Sequence, residues 1–118
     1  ACSAPGRWFA PVFTPAQPDL VQRARAWIAG IAPEGCAACC EALATSDLRE
    51  SIGRIAVPTL LLAGADDPVT TVADAQAMQA SIAGSSLAVV PASHLSNLEA
   101  PQAFEQAVLD FLAHAAKA

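Results

Sequence analysis

Asp66, Asp67 and His94 are the residues of this 118-residue chain whose types and spacing could do chemistry. The two acids follow directly on an apolar run, "VPTLLLAG", and His94 stands 27 residues after Asp67, just past a second apolar run, "SLAVVPA". That interval holds one helix and one strand. If both runs are parallel strands, the acid and the histidine lie side by side beyond the strands' carboxyl ends, where open parallel sheets form their sites. A carboxylate next to an imidazole orients the ring and stabilises its protonated form. The ring can then act as general base toward a hydroxyl nucleophile. Taken singly, Asp67 could be a turn or helix-start residue and His94 a satisfied loop histidine; their correlated placement favours chemistry. Asp66 reads as a solvated, turn-stabilising neighbour. Ser96 and Asn97 read as residues that shape the histidine loop through side-chain-to-backbone bonds.

The elements that must position this pair follow from periodicity and punctuation. Residues 1–33 read as irregular, broken by Pro5, Pro11, Pro15, Pro18 and Pro33, with one helix between Pro18 and Gly30 whose stripe is Leu20, Ala24, Trp27 and Ile28. "PEGCAACCEALATSDLRESIGRI" predicts a helix, a break at Thr45-Ser46, and a second short helix over 47–52 capped by Ser46. The two apolar runs are continuous rather than alternating, which predicts parallel strands covered on both faces. Thr71 and Asp74 form a capping-box pattern for a helix reaching about Ala83, closed by Gly84. "SHLSNLEA" reads as a polar loop. Pro101 opens a last helix whose core stripe is Phe104, Val108, Phe111 and Leu112. The order strand–helix–strand–helix implies a right-handed parallel unit. Two such strands need neighbours, so the chain is expected to be the C-terminal part of a larger α/β protein.

Composition narrows the function classes. The chain is 54% hydrophobic and 14% charged, apolar for a small domain, which suggests surface meant for something outside it. The net charge is -5 with no Lys/Arg cluster, so nucleic acid binding has no electrostatic footprint. The apolar runs are too short to span a bilayer. The start, "ACSAPGRWF", has no charged region followed by an apolar one and reads as a processed or truncated end. Cys36-x-x-Cys39 invites a metal or redox reading, but a four-ligand zinc site needs a second pair and the histidines are distant. Cys36, Cys39 and Cys40 share one helical face, and they, with Cys2, are expected to be buried thiols of a cytoplasmic protein. Neither metal nor organic cofactor is expected. Arg49 and Arg54 read as solvated charges, and His114 as complementing a helix dipole.

"PTLLLAGADDPVT", the Asp67–His94 spacing, "SHLSNLEAPQAF" and the terminal amphipathic helix resemble the C-terminal third to half of an α/β-hydrolase. That family's acid follows a G-x-x-D pattern, here Gly64 to Asp67, and its histidine maps to His94. "GRWF", "ACCEAL", "SDLRESIGRI" and "SHLSN" are in turn similar to 3-oxoadipate enol-lactone hydrolases of the β-ketoadipate pathway. The resemblance implies that residues 1–45 are a remnant of a helical cap with the helix leading back to the core. Residues 46–118 would be a core segment of two parallel strands with flanking helices. It implies a lactone substrate, with Arg7 as a partner for the substrate carboxylate and Trp8 and Phe9 on an apolar cap wall. A surface arginine and plain packing are the ordinary alternatives for these positions. The sequence departs from the pattern in lacking an aromatic residue near Cys36 and a proline where Thr71 stands. It also lacks the nucleophile elbow G-x-S-x-G; Ser85 and Ser86 follow Gly84 but precede a strand.

The chain is therefore expected to be inactive alone and to need an N-terminal hydrolase half that supplies the serine. Two rivals keep the fold: another α/β-hydrolase, such as an esterase or a cofactor-free haloperoxidase, and a non-catalytic fragment that self-associates as a homo-oligomer through its open sheet edge.

Overall fold

The computed structural model describes residues 5–116. In chain order the elements are α1 (Pro5–Trp8), α2 (Phe13–Ala16), α3 (Pro18–Ala29), α4 (Pro33–Thr45), a 3-10 turn (Ile52–Arg54), β1 (Leu60–Gly64), α5 (Val72–Ser81), β2 (Ser86–Val90), α6 (Ser96–Glu99) and α7 (Pro101–Ala115). β1 and β2 pair in parallel, with Leu60 opposite Ser86 and Gly64 opposite Val90. Prolines open α3, α4 and α7 in their first turn, where the missing N–H costs nothing. The α5 crossover starts at a capping box. The Thr71 hydroxyl accepts the Asp74 N–H at 3.2 Å, and the Asp74 carboxylate accepts the Thr71 N–H at 2.8 Å. Past the end of α5, Gly84 adopts φ of 72°, a conformation glycine reaches without a Cβ penalty.

Burial differs from expectation in an informative way. β1 buries Leu61 and Ala63 but leaves Leu60 and Leu62 half-covered, and in β2 only Val90 is buried. α5 and α7 both pack on the strands, yet neither buries a residue fully. Phe104, Val108 and Phe111 are half-buried and Leu112 is exposed. Periodicity identifies the face; only a covering layer makes it core. The radius of gyration, 16.0 Å, exceeds the roughly 13 Å of a compact 100-residue domain, as these open faces require.

A tight cluster forms instead where the first third of the chain meets the segment after β2. Phe9, Val21 and Ala24 are buried, with Trp8, Phe13, Leu95 and Leu98 packed around them. The Phe9 and Phe13 rings stack with centroids 5.1 Å apart. The region read as irregular thus contains α1 and α2. The α3 stripe is rotated toward Val21, leaving Trp27 exposed with the Arg23 guanidinium 5.5 Å over its ring.

Two further expectations are corrected. No α-helix forms over 47–52. Asp47 accepts the Arg49 N–H at 3.1 Å and pairs with its guanidinium, and this local turn competes successfully with a helix. The cysteines are not core either. Cys39 and Cys40 are exposed free thiols and Cys36 is half-buried, because α4 buries none of its residues. Cys2 lies outside the described residues. His114 sits in the last turn of α7, its Nδ1 2.6 Å from the Asp110 carbonyl oxygen.

Candidate active site

The parallel pairing continues beyond the strand ends and draws two loops together. Ala65 N–H donates to the Val90 carbonyl at 2.9 Å, and Asp66 N–H donates to the Ala92 carbonyl at 3.0 Å. The Ser93 hydroxyl donates to the Asp66 carbonyl at 3.3 Å. Gly64 makes this approach feasible. A Cβ there would fall inside 3.0 Å of the Ala92 and Ser93 carbonyl oxygens, so any larger residue pushes against backbone. Asp66 itself is exposed and meets the second loop through its backbone.

Asp67 is buried and saturated with donors. Its Oδ1 accepts the Val69 N–H at 2.7 Å and the Thr70 N–H at 3.2 Å. Its Oδ2 accepts the Thr70 hydroxyl at 2.7 Å and lies 2.9 Å from His94 Nδ1. Burial pushes the carboxyl upward. The bonds from His94, the Thr70 hydroxyl and the two N–H groups outweigh that and bring it down to about 2. At neutral pH the group is therefore an anion. An ionised carboxylate can only accept, so His94 Nδ1 carries a proton, and in the neutral ring the lone pair is on Nε2. The side chains are 5% exposed at Asp67 and 33% at His94, so the acid is sealed while the ring remains reachable. This arrangement can take a proton from a hydroxyl presented to Nε2.

The histidine loop is not shaped as expected. Ser96 is buried and Asn97 exposed, and the segment turns into α6. The shaping group is the Glu99 carboxylate, which accepts the Ser93 N–H at 2.9 Å. Trp8, half-buried, abuts this loop and its carbonyl accepts the Leu95 N–H at 2.9 Å. Arg7 stands in solvent on α1, and Phe9 packs inward in the cluster. Thr70 and Glu99 contact this pair and its loop but were not singled out from the sequence. Thr70 had a signal, standing three residues after an acid at a turn; Glu99 had none, because its partners Ser93 and Ala10 are brought to it by packing. Among the described residues no group of three or more His, Cys, Asp or Glu side chains could hold a metal ion. No described helix is long and apolar enough to cross a membrane.

Known proteins resemble this chain in sequence and fold. The chain is 49% identical over 108 residues to 3-oxoadipate enol-lactonase 2 of Acinetobacter baylyi, covering 92% of this chain and 40% of that protein. It is 41% identical over 106 residues to 3-oxoadipate enol-lactonase 1 of the same organism, covering 90% and 40%. Among solved structures, a hydrolase from Pseudomonas aeruginosa superposes with a TM-score of 0.86 at 44% identity, covering 92% of this chain and 41% of that one. The enol-lactonase from Burkholderia xenovorans superposes with a TM-score of 0.89 at 34% identity, covering 91% and 41%. The chain thus spans about 40% of the length of the curated relatives it matches. The α/β-hydrolase family model described as TAP-like protein matches residues 25–117, and the chain accordingly belongs to the α/β-hydrolases.

Proposed function

We propose that this chain carries the acid and the base of a serine hydrolase that opens 3-oxoadipate enol-lactone to 3-oxoadipate, with Asp67 as the orienting acid and His94 as the general base. The observation that carries the reading is the 2.9 Å contact between His94 Nδ1 and Asp67 Oδ2, beyond the ends of two parallel strands. The substrate follows from similarity to enol-lactonases of two organisms. The serine and its oxyanion-hole donors come from residues outside these 118. In the mechanism, His94 Nε2 takes the proton of that serine hydroxyl as its oxygen attacks the lactone carbonyl. Collapse breaks the ring C–O bond, and the imidazolium, held by Asp67, protonates the enol oxygen that leaves. His94 then deprotonates water, which attacks the acyl-enzyme, and returns that proton to the serine.

Residues 1–45 serve as part of the cap and residues 46–118 as the core segment. In support, α4 buries no residue, whereas α5 and α7 both pack on the paired strands β1 and β2. Trp8 lines the substrate pocket and Arg7 meets the substrate carboxylate. The uncovered faces, including an open groove between Leu43, Leu48, Ile52 and Met78, receive the remainder of the hydrolase. The chain by itself turns nothing over, and its place of action is the cytoplasm.

The test is lactone turnover by the natural protein at full length, against a panel of simple esters. The expected result is preference for the enol-lactone, with Asp67→Asn lowering kcat by about 10⁴-fold through loss of the correct tautomer. Ester turnover without lactone turnover overturns the substrate. A kcat within a few-fold of wild type in Asp67→Asn overturns the role of the pair.

A further inference from the structure

We propose that Glu99 is a positioning residue for His94: its carboxylate fastens the peptide just before the histidine to residues 8–10, so that this stretch sets the imidazole's place together with Asp67. The inference rests on the reading of His94 as general base.

Glu99 Oε2 accepts the Ser93 N–H at 2.9 Å. The same carboxylate accepts the Ala10 N–H, at 3.2 Å to Oε1 and 3.3 Å to Oε2. Ser93 and Ala10 are both buried, so neither N–H can turn to bulk water if the carboxylate is removed. On the other side of His94, the Leu95 N–H donates to the Trp8 carbonyl at 2.9 Å. The histidine is thus held at both neighbouring residues by one stretch of chain, directly at Leu95 and through Glu99 at Ser93. That stretch is a firm anchor. Phe9 is 1% exposed and stacks on Phe13, and Leu95 and Leu98 pack on the same cluster. The carboxylate does not serve the next helix, since α7 has no side-chain cap bond at its start. Its reach across the chain is its use, and an ionised acceptor strengthens each bond it takes. Residues 8–10 directly follow Arg7, so the proposed substrate-binding segment and the base share one mechanical support.

The experiment uses the natural protein at full length and compares wild type, Glu99→Ala and Glu99→Gln. Nuclear magnetic resonance follows the His94 Nδ1 proton, shifted downfield by its bond to Asp67, and the exchange rate of the Ser93 amide. In Glu99→Ala the downfield signal should broaden or vanish, and Ser93 exchange should rise about tenfold or more for loss of a charge-assisted bond. Turnover should fall by up to about 100-fold in kcat with KM little changed, as misplacement of a catalytic group predicts. Glu99→Gln keeps an uncharged acceptor and should lie between the two. An unchanged His94 signal and Ser93 exchange rate in Glu99→Ala overturn the proposal. So do equal losses in both variants accompanied by faster exchange throughout β1 and β2, which mark a merely structural role. If Glu99→Ala does not fold, Glu99→Gln decides: intermediate Ser93 exchange supports the proposal and wild-type exchange overturns it. The magnetic-resonance readout needs no substrate. A wrong lactone assignment appears as absent turnover with a normal His94 signal, distinct from an unresponsive His94.

Discussion

Replacing Gly64 by alanine should break the site without touching Asp67 or His94. The added Cβ would come within 3.0 Å of the Ala92 and Ser93 carbonyl oxygens, separations that real Cβ atoms essentially never show, and sit at a tight 3.0 Å from the Ser93 carbonyl carbon. All three atoms are backbone, so no side chain can rotate away. The 92–93 segment must retreat from β1 by roughly 0.5 Å or more, and such overpacking typically costs about 1–3 kcal/mol. His94 is the next residue and moves with it. A retreat of that size takes the 2.9 Å contact to Asp67 toward about 3.4 Å, past the useful range of a hydrogen bond. It also strains the Asp66 N–H bond to Ala92 and the Ser93 hydroxyl bond to Asp66. Denaturant unfolding reads the stability loss, and the downfield His94 Nδ1 proton reads the broken contact. Gly35→Ala is the control, because a Cβ there meets nothing within 4 Å and lies in α4; it should be neutral or stabilising by up to about 1 kcal/mol. Gly64→Ala with wild-type stability and an intact His94 signal would refute the claim that close backbone approach at Gly64 sets the site.

Acid should also uncouple the pair. The Asp67 carboxyl is lowered from 3.8 to about 2, so its contribution, about 2 kcal/mol, is fully present above pH 4 and is lost as pH falls through 2. Asp67→Asn should flatten that part of the stability–pH curve, and an unaltered curve would contradict the assignment. Thr71→Ala removes the hydroxyl half of the α5 capping box and should destabilise by about 1 kcal/mol with the His94 signal unchanged. Circular dichroism under denaturant checks the first effect and magnetic resonance the second.

The pairing of Asp67 with His94 was legible in the sequence because strand direction is encoded locally. Continuous apolar runs, a capping box at Thr71 and Asp74, Gly84 at the turn and Pro101 at a helix start fix a β–α–β unit. Its geometry brings the Asp67 loop beside the His94 loop. The α/β-hydrolase resemblance came from the same residues. What could not be read was who covers whom. A stripe such as Phe104, Val108, Phe111 and Leu112 states which face is apolar, but burial depends on a neighbouring layer that no local pattern specifies. Cys39 and Cys40 of α4 are exposed for the same reason.

By itself, then, the sequence determined the strands, the α3, α4, α5 and α7 helices, their parallel order and the meeting of Asp67 with His94, since these depend on backbone propensity and spacing within a few dozen residues. Tertiary structure alone decided the rest. Gly64 lets two backbones approach, and Glu99, which also holds the Ser93 N–H, reaches back 89 residues to Ala10. A bond of that sequence separation leaves no periodic trace. It exists only because packing of Phe9 against Val21, with Leu95 and Leu98 beside them, brings its partners within reach.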